Sequence, residues 1–142
     1  MGTIRIISEP DASQEDVARI ETGLNEFNMA VSIVRDYRPV SIFLRDADDA
    51  VAGGLIGNTW GAWLHIRHLW IAERLRHQGY GSRLLRTAEE EATVAGCRGA
   101  FLDTFSFQAR PFYERHGYEC FGELRDHPPG HAHYFMRKLL KS

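Results

Sequence analysis

The run Arg76-His77-Gln78-Gly79-Tyr80-Gly81 is the part of this chain best suited to chemistry on an anion. Two glycines one residue apart let the backbone turn tightly and bring several N–H groups against a ligand. A helix opening at Gly81 or Ser82 adds its own unpaired N–H groups and the positive end of its dipole. Together they suit a pyrophosphate, and Arg76 adds a full positive charge. A dinucleotide fingerprint requires a third glycine where this chain has Leu84. A P-loop requires a Gly-Lys pair, which the sequence lacks. R-x-x-G-x-G between a strand and a helix is what remains.

That motif resembles the acyl-CoA loop of the GNAT family of N-acetyltransferases. A second block, SFQARPFYERHGY at Ser106–Tyr118, is similar to the family's N-x-x-A-x-x-L-Y-E-K-x-G-F pattern. The matches fall at Ala109, Phe112, Tyr113, Glu114, Arg115, Gly117 and Tyr118. The resemblance implies one N-acetyltransferase domain over residues 1–142. It also implies an α/β fold with a mixed, mostly antiparallel sheet flanked by helices.

Acetyl-CoA is the cosubstrate that the resemblance implies, with no metal. Backbone groups of Leu69 and Ile71 would pair with the pantetheine arm, and one of their N–H groups would polarise the thioester carbonyl. Arg76, His77, Gln78, Gly79, Tyr80, Gly81 and Ser82 would hold the pyrophosphate. Tyr113 matches the family tyrosine that can protonate the leaving thiolate, and a phenol of reference pKa ≈ 10 keeps its proton at neutral pH. Ser106 stands where the family commonly has an asparagine that contacts the coenzyme; it can hydrogen-bond or cap the next helix. His65, on the strand leading to the loop, is the candidate base, in a region where some members carry a glutamate. Strict alternation places it on one strand face with Leu69 and Ile71, and His68 on the other.

The acceptor expected is a primary amine of a small molecule. Asp103, Glu123 and Asp126 are available to attract an ammonium, and Trp60 or Trp63 to offer a cation–π face. Two other readings compete. One is a non-catalytic acyl-CoA sensor that keeps the glycine loop. The other is a metal-dependent enzyme built on His131 with His133 or His65 with His68, for which no carboxylate is spaced as a clear third ligand.

Bulk properties agree with a compact enzyme. The 142 residues suit one domain, and 44% hydrophobic with 25% charged residues is ordinary for a globular chain. A formal net charge of −2, with Lys and Arg scattered, gives no footprint for nucleic acid. No apolar run approaches the ~18–20 residues of a membrane span. The opening MGTIRIISEP lacks a signal peptide's apolar stretch, and Ile6 stands where a myristoylation motif wants Ser or Thr. Cys97 and Cys120 have no metal spacing. A cytoplasmic, reduced protein is expected, with a homodimer left open.

The elements that must position these residues follow from periodicity. Ile4 and Ile6 alternate with polar neighbours and predict a first strand over Thr3–Ser8. Ser13 and Asp16 have capping spacing ahead of a helix over Gln14–Phe27 with one buried stripe, Val17, Ile20, Leu24 and Phe27. Residues 28–39 have room for a short second helix before Pro39. Val40–Arg45 and Val51–Asn58 read as a hairpin across Asp46–Asp49. Ala62–Ile71 is the strand before the glycine loop. The helix after the loop buries Leu84, Leu85, Ala88, Ala92 and Ala95 and turns Glu89 mainly outward. Ala100–Thr104, a short helix at Gln108–His116, and strands at Tyr118–Leu124 and His133–Leu139 complete the order.

Overall fold

The computed structural model describes residues 2–31 and 35–141. The chain divides into two compact units, Met1–Arg35 and Asp36–Ser142. In the first, helix α1 spans Gln14–Val31, and its stripe Val17, Ile20, Leu24 and Phe27 is exposed where the spacing predicts burial. The Asp16 N–H donates to Ser13 Oγ at 3.1 Å and the Val17 N–H to the Ser13 carbonyl, so Ser13 caps the helix as its spacing predicts. The strand expected at Thr3–Ser8 is not formed, because residues 2–9 join no ladder. Alternation gives a segment two faces; a strand also needs a neighbour for its N–H and C=O groups. Of the second helix expected within 28–39, residues 28–31 instead continue α1, and residues 32–34 lie outside the described residues.

The second unit holds β1 (Arg38–Arg45), β2 (Val51–Trp60), β3 (Trp63–Ile71), a 3₁₀ turn (Glu73–Leu75), α2 (Tyr80–Val94), β4 (Gly99–Phe105), α3 (Arg110–Arg115), β5 (Glu119–Arg125) and β6 (Ala132–Leu139). The strands form one sheet in the order β1-β2-β3-β4-β6-β5. The β3–β4 neighbours run parallel; the other described pairs are antiparallel. Asp46 closes the first hairpin by accepting the Asp48 and Ala50 N–H groups on Oδ1 at 2.9 and 3.0 Å.

One face of this sheet carries Leu55, Leu64, Ile66, Leu102 and Met136, which form one buried cluster with Leu84, Leu85, Ala88 and Ala92 of α2. Each aliphatic side chain so buried is worth about 1.5–3 kcal/mol relative to exposure. That packing fixes α2, and hence its N-terminus, against the sheet. Glu89, expected to face outward, is only 8% exposed. Its Oε2 accepts the Tyr118 hydroxyl at 2.7 Å and its Oε1 accepts Lys138 Nζ at 2.9 Å. A buried carboxylate is tolerated when both oxygens are bonded in this way. Ala95, also expected inside, is exposed at the helix end.

Two irregularities in β3 shape the site. The first is a bulge. Gly57 pairs with Ile66 and Ile56 with His68, so Arg67 has no partner on β2. One extra residue reverses the alternation beyond it. Leu64 and Ile66 therefore share the core face with Leu69 and Ile71, while His65, His68 and Trp70 share the other. This corrects the expected placement of His65 beside Leu69 and Ile71, and of His68 opposite His65. The second irregularity is a parting. The β3–β4 ladder ends at the pair His65–Phe101, and no described strand pairs with that edge of β3 further on.

Gly57 is what lets the bulge close. A Cβ there would stand 2.1 Å from the His65 carbonyl oxygen, with backbone behind it. Gly57→Ala is expected to lower stability by roughly 1–3 kcal/mol or more, the usual range for overpacking. A denaturant titration with an unchanged midpoint would show that the bulge does not depend on this close approach.

Candidate active site

The loop after β3 folds as the sequence requires. Gly79 caps α2 with φ +84°, in the left-handed region that glycine enters without penalty. Helix α2 starts at Tyr80, so the N–H groups of its first turn, through Ser82, have no intrahelical partner and point at one end of a cavity. Arg76 Nε donates to the Ile71 carbonyl at 2.9 Å, which holds its guanidinium beside the end of β3. Gln78 turns away, its side-chain amide donating to the Arg74 carbonyl at 3.1 Å.

The cavity has a volume of ≈ 720 Å³. Its walls are the end of β3 (Leu69, Trp70, Ile71), the loop and first turn of α2, and one side of α3 (Phe112, Tyr113). Of the residues singled out from sequence, Leu69, Ile71, Arg76, His77, Gly79, Tyr80, Gly81, Ser82 and Tyr113 all line it. It runs from the positive end of a helix to a buried phenol along a strand edge that no described strand covers. A group with a phosphate head and an extended polar arm fits that sequence of surfaces. The glycines fit it too, since at Gly79 a Cβ would be strained and at Gly81 it would stand 3.4 Å from the Phe112 ring.

Tyr113 is 7% exposed and packs edge-on against Phe112 and Tyr118, with centroids 5.1 and 5.8 Å away. Burial, aided by the negative charge of Asp103, pushes its pKa up to about 12. Pro111 is tolerated because it falls in the first turn of α3.

Three predicted residues lie elsewhere. His65 stacks on Phe101 with centroids 4.4 Å apart and planes 10° off parallel, on the sheet face opposite the core. Burial lowers its pKa, and the Asp103 carboxylate partly opposes that. Ser106 Oγ accepts the Ala132 N–H at 3.0 Å and lies 3.3 Å from His131 Nδ1, so it ties down the β5–β6 loop and does not line the cavity. Gln78 is the third. Among the acceptor candidates, Asp126 is occupied with the Gly130 N–H at 2.7 Å, and Glu123 pairs with Arg125 at 3.2 Å. Asp103 Oδ2 takes His133 Nε2 at 2.7 Å. Trp60 and Trp63 border a separate cavity of ≈ 370 Å³ with Phe101 and Phe121. The described residues gather no group of three or more His, Cys, Asp or Glu able to hold a metal.

The sequence model of the acetyltransferase (GNAT) family matches residues 4–118. The chain belongs to the GNAT acetyltransferase family. It is 36% identical over 127 residues to Acetyltransferase Atu2258 of Agrobacterium fabrum, covering 89% of this chain and 93% of that protein. It is 34% identical over 131 residues to the blasticidin-S acetyltransferase of Streptomyces morookaense, covering 86% and 96%. A solved acetyltransferase of Bacillus cereus superposes with a TM-score of 0.83 at 35% identity, over 94% of this chain and 98% of its own. This is an acetyl-transferring enzyme, which sets aside the sensor reading.

Sequence reasoning about this acetyltransferase missed Gln108, which lines the cavity and whose Oε1 accepts the Phe105 N–H at 2.9 Å. It also missed that Ser82 Oγ lies 2.8 Å from His116 Nε2. Gln108 falls between Ser106 and Ala109, where the pattern specifies no residue. The Ser82–His116 pair spans 34 residues and left no signal.

Replacing either glycine with a β-branched residue should weaken coenzyme A binding, Gly79→Val through its positive φ and Gly81→Val through Phe112. A loss of tenfold or more, about 1.4 kcal/mol, is expected by calorimetry. Unchanged affinity in a folded Gly81→Val protein would remove the pyrophosphate from this loop.

Proposed function

We propose that this enzyme moves the acetyl group of acetyl-CoA to a primary amine of a small molecule, by direct attack through a tetrahedral intermediate, with residues 1–142 acting as one domain. The observation that carries this reading is the parted β3 edge. It lies between a phosphate-suited loop at one end and a buried, protonated tyrosine at the other. A 34% identical relative whose name gives blasticidin S as its substrate supports a small-molecule acceptor. The scattered charge and net −2 support neither nucleic acid nor an anionic membrane as partner.

The thioester supplies the activated acyl group. In this reading the amine nitrogen forms a C–N bond to the acyl carbon, the C–S bond breaks, and the sulfur leaves as a thiolate. Backbone N–H groups at the end of β3, where Leu69 and Ile71 stand, stabilise the oxyanion as a fixed dipole. The Ile71 carbonyl is already bonded to Arg76, so its acceptor side is taken. Tyr113 faces the departing sulfur. A phenol at about 12 is a weaker acid than an ordinary thiol, reference pKa ≈ 8.5, so full proton transfer is uphill. Tyr113 therefore contributes chiefly as a hydrogen-bond donor to the charge developing on sulfur.

The amine approaches through the gap from the second sheet face, where His65 and Asp103 stand. His65 takes the ammonium proton from that side, not from the cavity side that simple alternation predicted. Because burial lowers its pKa, it stays neutral, and able to accept a proton, below the ordinary imidazole range.

Tyr113→Phe keeps the ring and removes the donor. It should lower kcat by about 10²-fold, the low end for a positioned acid–base group, while the acetyl-CoA Kd stays within about twofold. Equal losses in both would make Tyr113 an anchoring residue. The raised Tyr113 pKa means that no alkaline loss of rate from its ionisation should appear below about pH 11. If His65 is the base, the acid limb of kcat should lie below the ordinary imidazole range and vanish in His65→Gln. An acid limb that tracks the pKa of each amine instead would show that no dedicated base acts. A panel of polyamines, aminoglycosides, amino-acid derivatives and short peptides should give turnover on small amines; turnover on peptides alone would sink the acceptor assignment.

A further inference from the structure

Ser82 belongs to the first turn of α2 and lines the cavity, while His116 caps the C-terminal end of α3, whose Phe112, Tyr113 and Arg115 line it. Their side chains meet at 2.8 Å, and His116 is braced by Phe112 with centroids 4.8 Å apart. That hydrogen bond has two directions. When His116 is neutral with its proton on Nδ1, the Ser82 hydroxyl must donate to the Nε2 lone pair, and its hydrogen is unavailable to a ligand. When Nε2 carries a proton, as in the imidazolium and in the other neutral tautomer, Nε2–H donates to Ser82 Oγ and the hydroxyl hydrogen is free to turn into the cavity; of the two, only the imidazolium also brings the positive charge that a phosphate favours.

We propose that His116 is a positioning residue of the phosphate site: by taking up a proton when a phosphate-bearing ligand binds, it converts Ser82 from an internal donor into a donor to that ligand. The proposal rests on the acetyl-CoA reading above. The charged groups around His116 come from three elements: Glu89 and Arg86 of α2, Lys138 of β6 and Arg115 of α3. Burial is the largest influence and favours the neutral ring; the three cations act in the same sense and Glu89 against them. Glu89 is itself engaged by Tyr118 and Lys138. A polyanion entering at the α2 N-terminus adds the negative charge that the ring lacks, and so favours the imidazolium. Binding and protonation at His116 must then assist each other by linkage.

Calorimetry of coenzyme A binding to the wild type and to His116→Gln tests this. Glutamine can keep a hydrogen bond to Ser82 but cannot titrate. The ligand's own phosphates titrate in both cases, so the difference between the two proteins isolates His116. Between about pH 8 and pH 6 the wild type should gain roughly tenfold more affinity than the variant, one proton's worth over about one pH unit. Measured in two buffers of different ionisation enthalpy, it should take up a proton that the variant does not. Equal slopes and equal proton counts overturn the proposal while leaving the cofactor reading intact. Failure of the wild type to bind coenzyme A at any of these pH values overturns both. Should His116→Gln not fold, the His116 ring resonance of the wild type gives the same answer. Its titration midpoint should rise when coenzyme A is added, and an unmoved midpoint overturns the proposal.

Discussion

Hydrogen bonding between β3 and β4 stops after His65 and Phe101, and the candidate active site exists because of that parting. Each strand has a stronger attachment on its other side. β4 pairs with β6 along all of Gly99–Phe105, and β3 follows β2 to Ile71 through a bulge that bends it. The two pairings lead the strands apart. Backbone groups left on an opened edge need partners, and burying them unpaired is costly. The edge of β3 thus becomes a place where an extended ligand can supply what a strand would have supplied. The fold does not carve a pocket from side chains so much as withhold one ladder.

What lies at the two ends of that edge is held by packing and by one buried carboxylate. The small and leucine side chains of α2 set the helix against β1, β2 and β3, which fixes where its N–H groups point. Glu89, one helix turn beyond Leu85, reaches Tyr118 and Lys138 and joins α2 to the start of β5 and to β6. The Tyr118 N–H donates to the Tyr113 carbonyl at 3.0 Å, so the same network steadies the end of α3. Burial and the adjacent carboxylate hold the Tyr118 phenol protonated far above its ordinary range, which keeps it a donor at any working pH. A carboxylate that a helical wheel assigns to solvent is thereby a joint between the anion loop and the tyrosine helix.

Much of this was legible in the sequence because it is local. Gly79, the Ser13 cap, the Asp46 turn and the Leu84, Leu85, Ala88 and Ala92 stripe of α2 all act within a few residues, and the structure forms them where the pattern puts them. The strand at Thr3–Ser8 failed because alternation does not say whether a partner exists. His65 went to the wrong face because a bulge is one unpaired residue, and nothing in Trp63–Ile71 marks Arg67 as that residue. Its signal lies on the neighbouring strand, in Gly57, where no side chain could clear the His65 carbonyl. Glu89 and the Ser82–His116 pair were missed for the same reason: their partners are set by tertiary approach. The glycine loop and the tyrosine helix were readable as motifs, whereas the groups that hold them in place were not.

Asp103 shows how the parting lets one group serve both sides of the sheet. It stands on β4 just past the last β3–β4 pair, with one oxygen fixed by His133 at 2.7 Å. Its charge is felt by Tyr113 and by His65. On Tyr113 it adds to burial, since a second negative charge makes the phenolate harder to form. On His65 it works against burial, since a nearby anion favours the imidazolium. The direction is the same in both cases, toward the protonated form, yet the chemical consequences differ. It makes the phenol a more persistent donor and the imidazole a better acceptor of a proton. In the proposed reaction these are the donor toward the departing sulfur and the acceptor of the ammonium proton. A closed β3–β4 ladder would place backbone between them; the open one leaves a single carboxylate acting on each.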